Sequence, residues 1–380
     1  MLVKEINARK IKDSRNEDTI EVEVNGQRAS SPSGKSKGKY ETPSYYKNIA
    51  WNIKAINSLK ISFEINSFSD LSKLESYLKK QFKLKNAKEF GANALYALES
   101  AILKALAKNN GKELFEIINV VVKDIPIPVG NAIGGGLHSH FKNHPIFQEF
   151  LLIPNEKSFK ENFERLTETY ESLGRKLKTY KVNDEGAWEC SLDEEQVLEL
   201  LSSYKEINIG IDTASSSFFK KDKYHYKKIK RKNNEQINYI DYLINKFNIY
   251  YMEDPLQEED FKGFSKIKRT SRNLIVGDDL TVTHIDRLKK AIKENSINSI
   301  IIKPNQNGSL MELKEIFEIC RKNKIKTVMS HRSGETFDNA LADYAVGFGA
   351  DFIKCGIATK WREVKLNRLL EIERILDKRV

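Results

Sequence analysis

The chain has 380 residues, 40% of them apolar and 31% charged, with a net charge of +11; that is the balance of a soluble globular protein with room for one large domain and a smaller one. No stretch approaches the roughly 18 uninterrupted apolar residues of a membrane helix, and the opening MLVKEINARK has no apolar signal-peptide core, so a cytoplasmic protein is expected. The basic residues are scattered instead of gathered in one block with interleaved aromatics, which argues against a nucleic-acid partner. Cys190, Cys320 and Cys355 are far apart and outside any C-x-x-C pattern, which fits neither a disulfide framework nor a thiolate zinc site.

In chain order, the first 30 or so residues alternate apolar and polar, and Asn25-Gly26 within TIEVEVNGQRAS marks a two-residue hairpin. A small antiparallel sheet is expected there. The segment SSPSGKSKGKY, rich in Ser, Gly and Lys, reads as a mobile loop. From Asp70 to Ile118 the periodicity is helical, broken by Asn109-Asn110-Gly111. Residues 1–122 thus read as an α+β domain. After IPIPVGNAIGGG come short apolar strands spaced by amphipathic helices: FQEFLLIP, INIGID, NIYYMED, NLIVGDD, SIIIKP, KTVMSH and DFIKC. Residues 123–380 therefore read as a parallel β/α domain. The basic run FFKKDKYHYKKIKRKNNE is read as an exposed loop with room for an accessory role.

Asp212, Glu253, Asp278, Lys303, His331 and Lys354 close successive strands, and from Glu253 onward they are 25, 25, 28 and 23 residues apart. That interval is one β/α unit. In a barrel of parallel strands the carboxyl ends share one face and these side chains converge; in a doubly wound sheet only neighbours at the switch point meet. The run of polar strand ends favours the barrel. Asp212, Glu253 and Asp278 would repel one another without a cation between them, and an all-oxygen donor set selects Mg2+ or Mn2+ over zinc. The alternative is that each caps a helix or pairs with a lysine. Lys303 is either a snorkelling strand end or a base of lowered pKa. Arg332 with Ser333 suits a phosphate. A metal, a lysine base and an anion clamp together fit proton abstraction beside a carboxylate.

These residues sit in stretches that resemble the enolase family: KDSR, SPSGKSKG, FQEFLLIP, NDEG, IDTASSSFF, MEDP, VGDDLTVT, IKPNQNGS, SHRSGETFDNALADYAVG and IKCG, in family order along nearly the whole chain. The resemblance implies an eight-stranded, TIM-like β/α barrel preceded by a smaller α+β domain, and Mg2+-dependent, reversible dehydration of 2-phospho-D-glycerate in glycolysis and gluconeogenesis. It implies Lys303 as base and Glu185 as acid with Glu149 beside it. Arg332, Ser333, Lys354, His138, Gln148 and His331 would contact the phosphorylated substrate. Asp212, Glu253 and Asp278 would hold the tighter Mg2+, and Ser36 on the lid loop would reach a second one that arrives with substrate. A homodimer or higher homo-oligomer is implied too. Two charge states are required: a neutral Lys303, and a protonated Glu185, which the neighbouring Glu149 would favour.

Departures from the family pattern fall in loops. Lys35 and Lys37 replace small residues in the lid, glycines are lost at Asn183 and Ala187, and two extra residues after His138 make His140 a rival for its role. Two alternatives stay open: an enolase-like dehydratase or epimerase for another carboxylate substrate, and a non-catalytic binding protein using the basic run. Retention of Arg332 and Ser333 argues against the former, and the complete catalytic set against the latter.

Overall fold

The structure is a computed structural model that describes every residue except 36, 37, 120, 123, 140, 142, 272, 379 and 380. A three-stranded antiparallel sheet opens the chain, with β1 (Ile6–Lys12), β2 (Asp18–Val24) and β3 (Gln27–Ser30) in sequence order. Asn25 and Gly26 form the β2–β3 turn, both at positive φ, 49° and 79°, which Asn-Gly adopts at little cost. Among the described residues four α-helices follow: α1 (Ile49–Asn57), α2 (Leu71–Phe82), α3 (Ala92–Asn109) and α4 (Leu114–Ile118). The helix α1 lies ahead of the expected helical region and is started by Asn48, whose side chain accepts from the Trp51 amide. Along α3 nearly every residue is buried, because it is wedged between the small sheet and the second domain.

The second domain is a closed eight-stranded barrel. Its elements are β4 (Ile127–Gly134), β5 (Glu149–Ile153), α5 (Phe159–Leu177), β6 (Trp188–Glu189), α6 (Glu194–Leu201), β7 (Asn208–Asp212), then the ribbon strands β8 (Phe219–Lys220), β9 (Lys223–His225) and β10 (Lys230–Arg231). After them come α7 (Asn233–Phe247), β11 (Tyr251–Glu253), α8 (Phe261–Thr270), β12 (Leu274–Gly277), α9 (Ile285–Lys293), β13 (Ser299–Ile302), α10 (Pro304–Asn307), α11 (Leu310–Lys322), β14 (Lys326–Ser330), α12 (Ala340–Phe348), β15 (Phe352–Lys354) and α13 (Lys360–Asp377). The barrel order is β4, β5, β7, β11, β12, β13, β14, β15 and back to β4, while β6 lies against β4 outside the ring. The basic run forms the ribbon β8–β10, not an irregular loop.

Two features of the ring differ from the sequence expectation. The stretch IPVGNAIG, read as a junction, is β4; its Pro and small residues disguise the strand. Moreover, β5 runs antiparallel to both β4 and β7. Among the described residues the connection from β4 to β5 has a short 3-10 turn and no α-helix, and a parallel return needs a helical crossover. Inside the ring, Val129, Leu151, Ile153, Tyr251, Val276, Ile301, Val328 and Phe352 pack into a core of their own. This plug decides where the site sits. No helix among the described residues is long and apolar enough to cross a membrane.

Candidate active site

Side chains two apart on a strand face the same way. Stepping two residues toward the mouth reaches Asn131 from Val129, Glu253 from Tyr251, Asp278 from Val276, Lys303 from Ile301, Ser330 from Val328 and Lys354 from Phe352. On the reversed strand β5 the same step runs backward, from Leu151 to Glu149, and Glu149 pairs across the sheet with Asp212. One apolar layer therefore carries one polar layer. Above it lies a cleft of about 330 Å³ lined by Glu149, Glu185, Asp212, Asp278, Lys303 and Arg332, among others.

Lys354 is the hub of the carboxylates. Its Nζ lies 2.8 Å from Glu149 Oε2, 2.9 Å from Glu253 Oε1 and 3.3 Å from Asp212 Oδ2. Tyr251 donates to Glu253 Oε2 at 2.7 Å, Gln148 Nε2 to Asp212 Oδ2 at 3.3 Å, and the Ala214 amide to Asp212 Oδ1 at 2.9 Å. Asp278 Oδ2 holds Lys303 Nζ at 2.5 Å. Burial opposes charge on both lysines, but these carboxylates outweigh it and raise Lys303 above, and Lys354 well above, the ordinary range. The lowered Lys303 pKa expected of a base is thus not the state of this arrangement, because Asp278 stabilises the ammonium. Burial, then Asp212, pushes Glu253 up to about 8 against the pull of Lys354.

The fit to a hard divalent cation follows from the donor set. Glu149, Asp212, Glu253 and Asp278 gather around the two lysines and offer carboxyl oxygens alone, the ligand type that Mg2+ takes. Asp278 Oδ1 is buried without a hydrogen-bond partner among the described residues, so a ligand atom is available. Oxygens of Asp254, Asp278 and Asp279 also lie within 4.8 Å of one another. Asp254, however, is engaged in accepting from the Asp278 and Asp279 amides at 3.0 and 2.7 Å.

Glu185 stands across the cleft. His138 Nδ1 lies 3.7 Å from Glu185 Oε1 and His331 Nε2 3.9 Å from Oε2; Asn131 Nδ2 donates to Oε2 at 3.4 Å. Burial works to raise Glu185, but His138, His331, Arg362 and a hydrogen bond from Glu149 hold it well below the carboxylate range. Glu149 is pushed well above that range, by burial first and then by its acidic neighbours against Lys354. The two carboxyls of this pair are thus pushed in opposite directions, Glu149 toward its neutral form and Glu185 toward its charged one. Burial and Arg362 keep His331 neutral, so its own share in lowering Glu185 is small. The Glu185 turn is fixed by Asn183, whose Oδ1 accepts from the Glu185 and Ala187 amides at 2.9 and 3.0 Å. The asparagine thus supplies by an Asx turn what a glycine would supply by backbone freedom.

The lid segment is docked on the anion clamp. The Lys35 amide donates to Ser333 Oγ at 2.8 Å, and Ser33 and Gly334 exchange backbone bonds of 2.7 and 2.9 Å. Arg332 Nη2 reaches both Glu41 oxygens at 3.0 Å, and Nη1 reaches Asn305 Oδ1 at 3.2 Å. Lys35 Nζ pairs with Asp184 Oδ2 at 3.0 Å. The lid is anchored at its root by Asp13, which accepts from Ser33 Oγ, and by Arg15 Nη2, 3.0 Å from the same hydroxyl.

Lys303, Glu185, Glu149, Arg332, Ser333, Lys354, His138, Gln148, His331, Asp212 and Asp278 all line the cleft, and Glu253 joins them through Lys354. Ser36 and His140 lie outside the described residues. Sequence reasoning passed over Asn131, Glu41 and Arg362. The period-two pattern of IPVGNAIG places Asn131 on the inward face with Val129, but Glu41 and Arg362 come from the lid and α13 and have no such signal.

Comparison with known proteins agrees with the fold. Residues 122–380 match the family model described as the enolase C-terminal TIM barrel domain, and residues 3–118 the one described as the enolase N-terminal domain. The chain is 33% identical to a protein named enolase from Archaeoglobus fulgidus, with 100% of this chain and 98% of the relative aligned. It is 34% identical to the enolase of Thermoplasma acidophilum, covering 98% of each. With the enolase of Methanosphaera stadtmanae it shares 36% identity over 98% of this chain and 97% of the relative.

Proposed function

The chain belongs to the enolase family of lyases, and we propose that it catalyses the reversible, Mg2+-dependent dehydration of 2-phospho-D-glycerate to phosphoenolpyruvate and water. One observation carries this reading: the layer above the barrel plug sets Lys303 and Lys354 among four carboxylates, with Glu185 and Arg332 lining the same cleft. Lys303 takes the proton from C2, and Glu185 delivers one to the departing C3 hydroxyl after receiving it from Glu149, its partner in the buried pair. Arg332 and Ser333 take the phosphate, Lys354 the carboxylate end, and His138, Gln148 and His331 complete the substrate contacts. Asp212, Glu253 and Asp278 would hold the tighter Mg2+, and Ser36 the second. When bound, the cations supply positive charge opposite the substrate carboxylate as the C2 proton leaves, a pairing general to the enolase superfamily.

Lys303 must shed its proton before it can act, and Asp278, which now stabilises the ammonium, would do so less once engaged as a metal ligand. The reading also includes a role in glycolysis and gluconeogenesis, a cytoplasmic location, a homo-oligomer, and domains at 1–122 and 123–380, the last supported by the separate family-model matches. The test follows absorbance of the enol product from 2-phosphoglycerate with Mg2+, for the parent and Lys303→Ala. A loss of about 10²- to 10⁴-fold is expected in the variant, and EDTA abolishes turnover by the parent. A parent no faster than Lys303→Ala would sink the assignment.

A further inference from the structure

Arg362, on the first turn of α13, is fully buried. It carries five N–H donors, and five acceptors meet them. Nε donates to His331 Nδ1 at 3.1 Å; Nη1 reaches the Asp184 carbonyl at 3.4 Å and Thr359 Oγ1 at 3.2 Å; Nη2 reaches the carbonyls of Arg332 and Ser333 at 3.4 and 3.2 Å. None of these acceptors is a carboxylate. A buried cation without a directly bonded counter-charge is expensive, so its place calls for a reason beyond ion pairing. The fold also leaves room for it at close quarters: a Cβ on Gly356 would stand 2.5 Å from Arg362 Cδ.

The acceptors give that reason. His331 lines the cleft, and an imidazole nitrogen that accepts a hydrogen bond cannot carry the proton, so a neutral ring bears it on the other nitrogen. With Nδ1 accepting from Arg362, the N–H lies on Nε2, the atom 3.9 Å from Glu185. The same guanidinium ties the backbone of the anion clamp at Arg332 and Ser333 to the Asp184 carbonyl, the residue before Glu185. We propose that Arg362 is a positioning residue that fixes His331 as the Nε2–H tautomer and locks the anion clamp to the Glu185 turn. It touches neither substrate nor metal ligand; its effect passes through His331 and through backbone.

This proposal rests on the dehydratase reading only for its kinetic consequences. The decisive measurement is 15N NMR of the histidine rings in the ligand-free parent and in Arg362→Met and Arg362→Lys, with the His331 signals identified by their loss in His331→Gln. The parent is expected to show Nε2–H. Arg362→Met releases the tautomer, while Arg362→Lys retains it through its remaining donor. In turnover of 2-phosphoglycerate, Arg362→Met loses about 100-fold in kcat, as small misplacements in a site do, and KM changes only a few-fold; Arg362→Lys loses less. A parent with the proton on Nδ1, a tautomer unmoved in folded Arg362→Met, or a kcat unchanged in Arg362→Lys would each overturn the proposal. Should Arg362→Met not fold, the parent spectrum and the Arg362→Lys kinetics still decide. Failure of the parent to turn over 2-phosphoglycerate would refute the substrate assignment alone, because the tautomer is read without substrate.

Discussion

Gly34→Ala is expected to cripple the anion clamp without touching any reacting group. A Cβ built on Gly34 would lie 1.9 Å from Arg332 Nη2, 2.7 Å from Cζ and 3.2 Å from Nε, overlaps that no real contact sustains. Arg332 cannot simply swing aside. Its side chain is 4% exposed, its fork is held by both oxygens of Glu41 at 3.0 Å, and Asn305 holds the other end at 3.2 Å. Either the guanidinium leaves these partners or the lid lifts from Ser333. Hydrogen bonds to charged groups contribute about 1.5–3 kcal/mol each, so losing the better part of two costs about 3 kcal/mol. That corresponds to about two orders of magnitude in kcat/KM. Steady-state turnover of 2-phosphoglycerate reads it directly, with thermal unfolding as the control for an intact barrel. Most of the loss should fall on KM, since the clamp grips the phosphate in both ground and transition states. A folded Gly34→Ala protein with the parent's kcat/KM would refute the close packing of the lid on Arg332.

Two other consequences can be checked. Lys35 and Asp184 pair at 3.0 Å with 38% and 25% of their side chains exposed, so Lys35→Ala should cost about 0.2–1 kcal/mol of lid docking. That appears as a few-fold rise in KM at low salt that fades near 1 M, where the screening length is about 3 Å; a salt-independent effect would contradict the latch. Glu99 is fully buried and accepts from the Leu310 amide at 2.7 Å, and burial together with Glu75 raises it well above the carboxylate range. A raised carboxyl favours the folded state below its unfolded pKa, and that stability is lost as pH climbs toward the folded value. Glu99→Gln should therefore gain stability over the parent between pH 5 and 8, by at most about 1.4 kcal/mol per pH unit. Denaturation midpoints that shift in parallel across that range would show that Glu99 does not hold its proton.

Much of this protein is legible in one dimension because its information is local. The Asn25-Gly26 turn follows from backbone freedom alone, and both residues take positive φ. The strand ends at Asp212, Glu253, Asp278, Lys303 and Lys354 follow from the repeat of the β/α unit, since parallel strands of one barrel open on one face. Other features depend on what lies across the fold. Strand β5 reverses because no α-helix among the described residues links it to β4, and only that reversal brings Glu149, at the start of its strand, level with Asp212 at the end of another. Charge states are likewise decided in space: Asp278 favours the ammonium form of Lys303, and burial raises Glu149 while the neighbouring cations lower Glu185. Arg362 and Glu41 come from a helix and a loop with no periodic relation to the strands, so spacing could not nominate them. The sequence by itself determined which groups the barrel carries to its mouth. Tertiary structure decided which of them bear protons and which are held in place, because burial and neighbouring charge act through distance in space and not along the chain.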